Sequence, residues 1–208
     1  MFRFLSFCIL ALFLAGCAIT PKFTVTTNEN DKFADKSVLE VHSYNNRLSD
    51  KSICGGTHID EQGLYIGNIA YIKDNKIIRN SIVASYSANA QAGGWIQGMS
   101  GCYKQGFQPI IKIIFLADGK NITVNMTPGK SDLHFTNYNN ISGGFGGQFF
   151  EASIGDLPFS DLELIANANV LDIKVVGGTN SQVFEQHELE KAFKTNLKTF
   201  IADVKNRL

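Results

Sequence analysis

The sequence predicts an α+β fold: a largely antiparallel β-sheet or sandwich with a short helix and a long C-terminal amphipathic helix. Three observations carry this expectation. Short runs of alternating apolar and polar residues recur from Ser37 to Ile154, separated by turn pairs such as Asp74-Asn75 and Asp118-Gly119. Helix-start chemistry first becomes clear near Ser160. The chain then ends on Leu189, Phe193, Leu197, Phe200, Ile201, Val204 and Leu208, one apolar stripe at helical spacing. No 20–50-residue repeat is visible, so a solenoid or propeller is not expected.

The elements follow in order. Residues 18–36 are polar and mixed, with Phe23 and Val25 as the start of an edge strand. Ser37 to Tyr44 reads as the first firm strand, and residues 45–62 read as loop. Gly63 to Ile72 and Lys76 to Tyr86 form a hairpin across Asp74-Asn75. Ser87 to Met99 reads either as a loop or as a short helix. Ile110 to Ala117 is dense in branched apolar residues and fits a central strand, and Asp118-Gly119 returns it to Ile122–Met126. Thr127-Pro128-Gly129-Lys130 reads as a turn before a strand from Leu133 to Tyr138. Gly143 to Gly147 interrupts the pattern, and Gln148 to Ile154 resumes it.

A helix is then expected from Asp161 to about Ala168. Ser160 and Glu163 would form a capping box, and Phe159 and Leu164 a hydrophobic staple. Strands at Val170–Val176 and Gln182–Glu185 follow. The last helix is expected over about His187 to Asn206, with Glu188 and Glu190 at its start and Lys205 near its end.

The first residues carry a different kind of information. Arg3 is the only charge before Lys22, and Phe4 to Ala15 is almost wholly apolar. That is the layout of an export signal, too short for a membrane-spanning helix of about 20 apolar residues. Leu14-Ala15-Gly16-Cys17 resembles the lipobox of bacterial lipoproteins. The resemblance implies cleavage before Cys17, a diacylglyceryl group on its thiol, and acyl chains that hold the protein at a bilayer. Ala18, where an aspartate favours inner-membrane retention in that family, implies an outer-membrane address. The expected organisation is therefore residues 1–16 as signal peptide, 17–36 as lipidated cysteine and tether, and 37–208 as one β-rich domain.

Composition narrows the function. The chain has 19 basic and 19 acidic residues, which gives no electrostatic case for nucleic acid. Of its 4 cysteines, Cys8 falls in the signal and Cys17 in the lipobox. Cys54 and Cys102 remain as an even pair in an exported chain, which reads as a disulfide. The closed loop of about 48 residues would contribute roughly 4 kcal/mol on the chain-entropy account. The alternatives are two free thiols, or a metal site using Cys54, His58 and Cys102, which lacks the paired Cys-x-x-Cys spacing.

No motif assembles a catalytic site. Gly98-Met99-Ser100-Gly101-Cys102 departs from the G-x-S-x-G elbow at its last position. Gly143 to Gly147 lacks the Lys-Ser/Thr ending of a phosphate loop. His42, His58, His134 and His187 are spread one per segment. Lys191, Lys194, Lys198 and Lys205 give the last helix a basic side that faces either solvent or anionic lipid. Trp95, Tyr103 and Phe145, set among glycines, are the candidate ligand or partner contacts. The expectation is a non-enzymatic, membrane-anchored envelope lipoprotein that binds a protein or envelope component, without cofactor or metal. The alternatives are an envelope enzyme of hydrolase type with a site near Cys54, His58 and Asp60, or a small-ligand carrier.

Overall fold

A computed structural model describes residues 22–29, 31–33, 35–49, 63–93, 99–101, 106–139 and 144–208. Eleven strands form two antiparallel sheets among these residues: β1 (Thr24–Thr27), β2 (Leu39–Tyr44), β3 (Gly63–Lys73), β4 (Lys76–Gly93), β5 (Met99–Gly101), β6 (Ile110–Ala117), β7 (Lys120–Asn125), β8 (Thr127–Asn139), β9 (Gly144–Asp156), β10 (Leu171–Gly177) and β11 (Ser181–Phe184). Two helices accompany them, α1 (Phe159–Asn167) and α2 (Phe193–Lys205). The larger sheet runs β1-β2-β3-β4-β9-β8, with β5 paired to the far end of β4. The smaller runs β11-β10-β6-β7.

Both expected hairpin turns form. Asp74 and Asn75 have φ of 51° and 56°, and Asp118 and Gly119 have φ of 47° and 84°. Positive φ at both central residues is what the twist of a tight hairpin demands. Asp118 does more than turn: its carboxylate accepts the backbone N–H groups of Asn169 and Val170, at 3.0 and 2.8 Å. That ties the β6–β7 turn to the entry of β10.

The core lies between the sheets. Leu64, Ile66, Ala70 and Ile72 of β3 and Ile82, Ala84, Tyr86 and Ala88 of β4 project to the inner side. They meet Ile113 and Phe115 of β6, Ile173 and Val175 of β10, and the buried sides of both helices in one cluster. Contact is close enough to exclude a side chain at Gly155 of β9. A Cβ there would lie 2.5 Å from the Asn125 carbonyl oxygen and 2.7 Å from Val124 Cγ1.

The expected α+β class is overturned. The protein is mostly antiparallel β, with 56% of residues in strands and 17% in helices, and it has no long C-terminal helix. The terminal helix has 13 residues. Its expected first turn is taken by tertiary pairing. Glu190 N–H donates to the Leu48 carbonyl, Ser49 bridges to Leu189, and the Ser49 hydroxyl donates to the Glu188 carbonyl. Leu189 is held extended by these contacts, at φ −74° and ψ 144°, while still packing on the core. Of the apolar stripe, Phe193, Leu197, Phe200, Ile201 and Val204 are helical and buried, whereas Leu189 precedes the helix and Leu208 follows it at 44% exposure.

Three segments expected as loop, turn or interruption are strand. β4 continues through Ala88–Gly93 because β9 pairs it along its length and β5 pairs its end. Thr127–Lys130 opens β8, with a register shift between Pro128 and Ser131. Proline is tolerated there because β8 is an edge strand. Glycines 144, 146 and 147 lie inside β9, paired on both sides.

The capping box and staple at Ser160 do not form. The helix starts two residues earlier than expected, after Pro158, so Ser160 sits inside the first turn and makes no cap bond. Leu164 is 46% exposed and turned away from the core. Asp161 instead meets Lys120 Nζ at 3.0 Å, near the positive end of the helix dipole. Among the described residues no helix is long and apolar enough to cross a membrane.

Candidate ligand-binding groove

Strands β2, β3, β4 and β9 lie side by side, so residues far apart in sequence share the outer face of the larger sheet. The register sets them in rows. His42 stands opposite Ile69, Gly67 opposite Val83, Tyr65 opposite Ser85, and Ser87 opposite Phe150. Gly67, Ser85 and Ser87 are small and form a floor, while Tyr44, Tyr65 and Phe150 rise around it. The result is a groove of about 510 Å³, within the range of roughly 300–1,000 Å³ usual for ligand sites.

The floor at Gly67 is enforced. A Cβ there would lie 2.6 Å from the Ser43 carbonyl oxygen of β2, so any larger residue pushes β2 from β3. At one end the rings of His42 and Tyr44 stack, with centroids 5.9 Å apart and planes 5° from parallel. Their spacing of two along β2 puts them on one face. His42 Nε2 lies 2.9 Å from Glu40 Oε2, which fixes the imidazole. Tyr44 is 48% exposed and Phe150 40%, so both rings are available to a ligand. Among the described residues no Lys, Arg, Asp or Glu lines the groove; the polar groups there are hydroxyls, amides and the imidazole.

Beyond the groove on the same face lies a charged cluster. Asp156 accepts from the Ser81 hydroxyl at 2.7 Å and from Arg79 Nε at 2.8 Å. The Ser81 bond first, and Arg79 second, hold the Asp156 carboxyl below its usual range. Arg79 also lies 5.4 Å over the Tyr71 ring. Ser81 donates to a carboxylate here, and among the described residues no histidine accompanies the pair.

On the inner face of β9, opposite Tyr86, Glu151 is 1% exposed. Its carboxylate oxygens accept the backbone N–H groups of Phe107 and Gln108, each at 2.8 Å. Burial pushes this carboxyl up, against the opposing effect of those two bonds. Burial, with the nearby Glu151 charge second, pushes the Tyr86 phenol up to about 12. Glu151 thus clamps the segment that leads into β6. Both of its oxygens are engaged by backbone.

The residues singled out from sequence fall elsewhere. Cys17, Cys54, His58, Asp60, Trp95, Cys102 and Tyr103 lie outside the described residues. Phe145 lies in β9, with its backbone opposite Ala92 and Tyr138. Of the four histidines, His42 lines the groove and His187 lies 3.4 Å from Glu185 at the surface. Two of the four lysines expected on the last helix's basic side have partners within the protein. Lys194 donates to the Ala168 carbonyl and Lys205 pairs with Glu163. Among the described residues no three His, Cys, Asp or Glu side chains gather as a metal site.

Tyr44, Tyr65, Ile69, Val83 and Phe150 were not anticipated. The available signal was that β3 and β4 carry apolar residues on both faces, with Tyr65 and Ile69 opposite in sense to Leu64 and Ile66. No family model, no curated protein and no solved structure matches this chain.

Proposed function

We propose that the protein is a lipid-anchored binding module of the bacterial envelope, without catalytic activity of its own, and that the outer face of the larger sheet is its ligand surface. The observation that carries this is the groove: a preformed concavity with aromatic walls, lined among the described residues by hydroxyls, amides and the His42 imidazole, which Glu40 engages. The lipobox resemblance at Leu14–Cys17 supplies the anchor. The position of Lys22 supports the two acting together. Its carbonyl accepts from the Asn45 side chain at 3.1 Å, and Asn45 lines the groove. Five residues run from Cys17 to Pro21, so an acylated Cys17 would hold this end of the groove within about 17 Å of the bilayer surface.

Two measurements test the reading in the full chain. Cys17→Ser should move the protein from the membrane fraction to the soluble fraction or block its maturation; unchanged acylation refutes the anchor. A photoreactive residue placed at Tyr44 or Phe150 in cells should give a defined adduct. The same residue at Lys174, an exposed position of β10, should not. Equal labelling at all three positions refutes the groove as the binding face.

A further inference from the structure

We propose that the groove binds an uncharged glycan chain; this rests on the reading of the outer face as a ligand surface. Four features of the lining select that chemistry. First, with no Lys or Arg among the described lining residues, an anionic polymer finds no fixed cation in them. Arg79, beyond the groove, is already paired with Asp156. Second, aromatic rings stand at both ends of the lining, the His42–Tyr44 stack at one and Phe150 at the other, beside Tyr65, Ile69 and Val83. A pyranose offers C–H groups to the negative face of a ring, the geometry that an aromatic quadrupole favours.

Third, Asn45, Ser85, Ser87 and Gln148 border the rings with groups that both donate and accept hydrogen bonds. Sugar hydroxyls and acetamido groups do the same. An acyl chain would leave those groups unpaired, at about 1–3 kcal/mol for each one buried. Fourth, the strands that make the groove are paired on both sides, so no backbone edge is free for a peptide to extend the sheet. Tyr44 on β2 and Phe150 on β9 stand three strand spacings apart, at least about 14 Å. A ligand that touches both is a chain of rings rather than one.

The test uses the full-length lipidated protein in a sugar-free zwitterionic detergent, titrated calorimetrically with three probes. They are a β-1,4-linked hexamer of N-acetylglucosamine, one of glucose, and an anionic hexagalacturonate. At least one neutral hexamer should bind. Tyr44→Ala and Phe150→Ala should each weaken that binding by about three- to tenfold, and Lys174→Ala should leave it unchanged. Both rings are substantially exposed, so the truncations leave the core intact.

Binding that survives both truncations, or hexagalacturonate bound as tightly as the neutral hexamers, overturns the inference. If neither neutral hexamer binds but a photoreactive residue at Phe150 captures a lipid or a protein in cells, the glycan assignment falls and the ligand surface stands. If neither hexamer binds and nothing is captured, both fall.

Discussion

Replacing Glu151 with glutamine should weaken the fold, by an amount that depends on pH. The carboxylate serves two backbone donors at once, Phe107 N–H and Gln108 N–H. Glutamine has one carbonyl oxygen, so one of those N–H groups would face an amide NH₂ instead. A buried donor left without an acceptor costs about 1–3 kcal/mol, which is the expected loss for Glu151→Gln near neutral pH. Glu151→Ala orphans both donors and removes side-chain contacts, so its loss should be about twice as large.

The pH dependence follows from the raised carboxyl. In the unfolded chain it titrates near its ordinary value of 4.5, and in the fold it titrates higher. The folded state therefore holds the proton more tightly, and stability from this group is fully present below pH 4.5. It is lost as pH rises through the folded value. The glutamine variant has no such dependence, so its deficit against the wild type should shrink as pH rises from 4.5. Among the described residues every fully buried hydrophobic lies between Val41 and Val204, and the partly buried ones packed on them begin at Phe23, so a chain of residues 18–208 retains that core. Urea unfolding of that chain followed by circular dichroism, at several pH values, reads both effects. A deficit that is absent, or that stays constant across this range, would refute the account of Glu151 as a clamp held at the expense of desolvation.

Other perturbations have equally definite outcomes. A Cβ at Gly177 would lie 2.2 Å from the Phe107 carbonyl oxygen and 2.4 Å from its Cβ. Gly177→Ala should therefore destabilise by about 1–3 kcal/mol or more, read as a lowered urea midpoint; an unchanged midpoint refutes the close packing of β10 on that segment. Phe200→Ala, at a fully buried position of α2, should cost about 3–5 kcal/mol, and a smaller loss would mean the helix docks loosely. The Asp118 carboxyl is held below its ordinary 3.8 by the Val170 N–H first and the Asn169 N–H second. Its contribution is present above 3.8 and lost as pH falls through the lowered value. Asp118→Asn should flatten the acid limb of the stability profile, and an acid limb identical to wild type would contradict the β6–β10 tie.

How far the sequence disclosed this structure depended on where each strand's reason for existing lay. The β3–β4 and β6–β7 hairpins were legible because their turns need positive φ, and Asp-Asn and Asp-Gly announce it. β6 was legible as central from its branched apolar run, and it does lie between β10 and β7. The far half of β4 and the glycine-rich start of β9 were not, because Ala, Gln, Asn and Gly have no preference for strands. Their extended backbone comes from pairing with each other over the register Ala88↔Phe149 to Gly93↔Gly144. The last helix is shorter than its apolar spacing implies for the same reason. Helical spacing placed Leu189 correctly on the core, but a backbone bond from Glu190 to Leu48, remote in sequence, set its conformation. The groove was hidden more deeply still. It takes His42, Tyr65, Val83 and Phe150 from four strands, and alternation within each reveals two faces without saying which strands are neighbours.

The strict alternation along β9 has a consequence for how this protein can change over generations. Gln148 and Phe150 face the groove, while Phe149 and Glu151 face the core. Substitutions at the outward positions can retune the ligand surface one residue at a time, with little effect on the interior. Insertion or deletion of a single residue within this strand is another matter. It would exchange the two sets, presenting a carboxylate to the groove and removing the clamp on Phe107. Lineages of this fold should therefore drift freely in outward side chains along β9 while conserving its length.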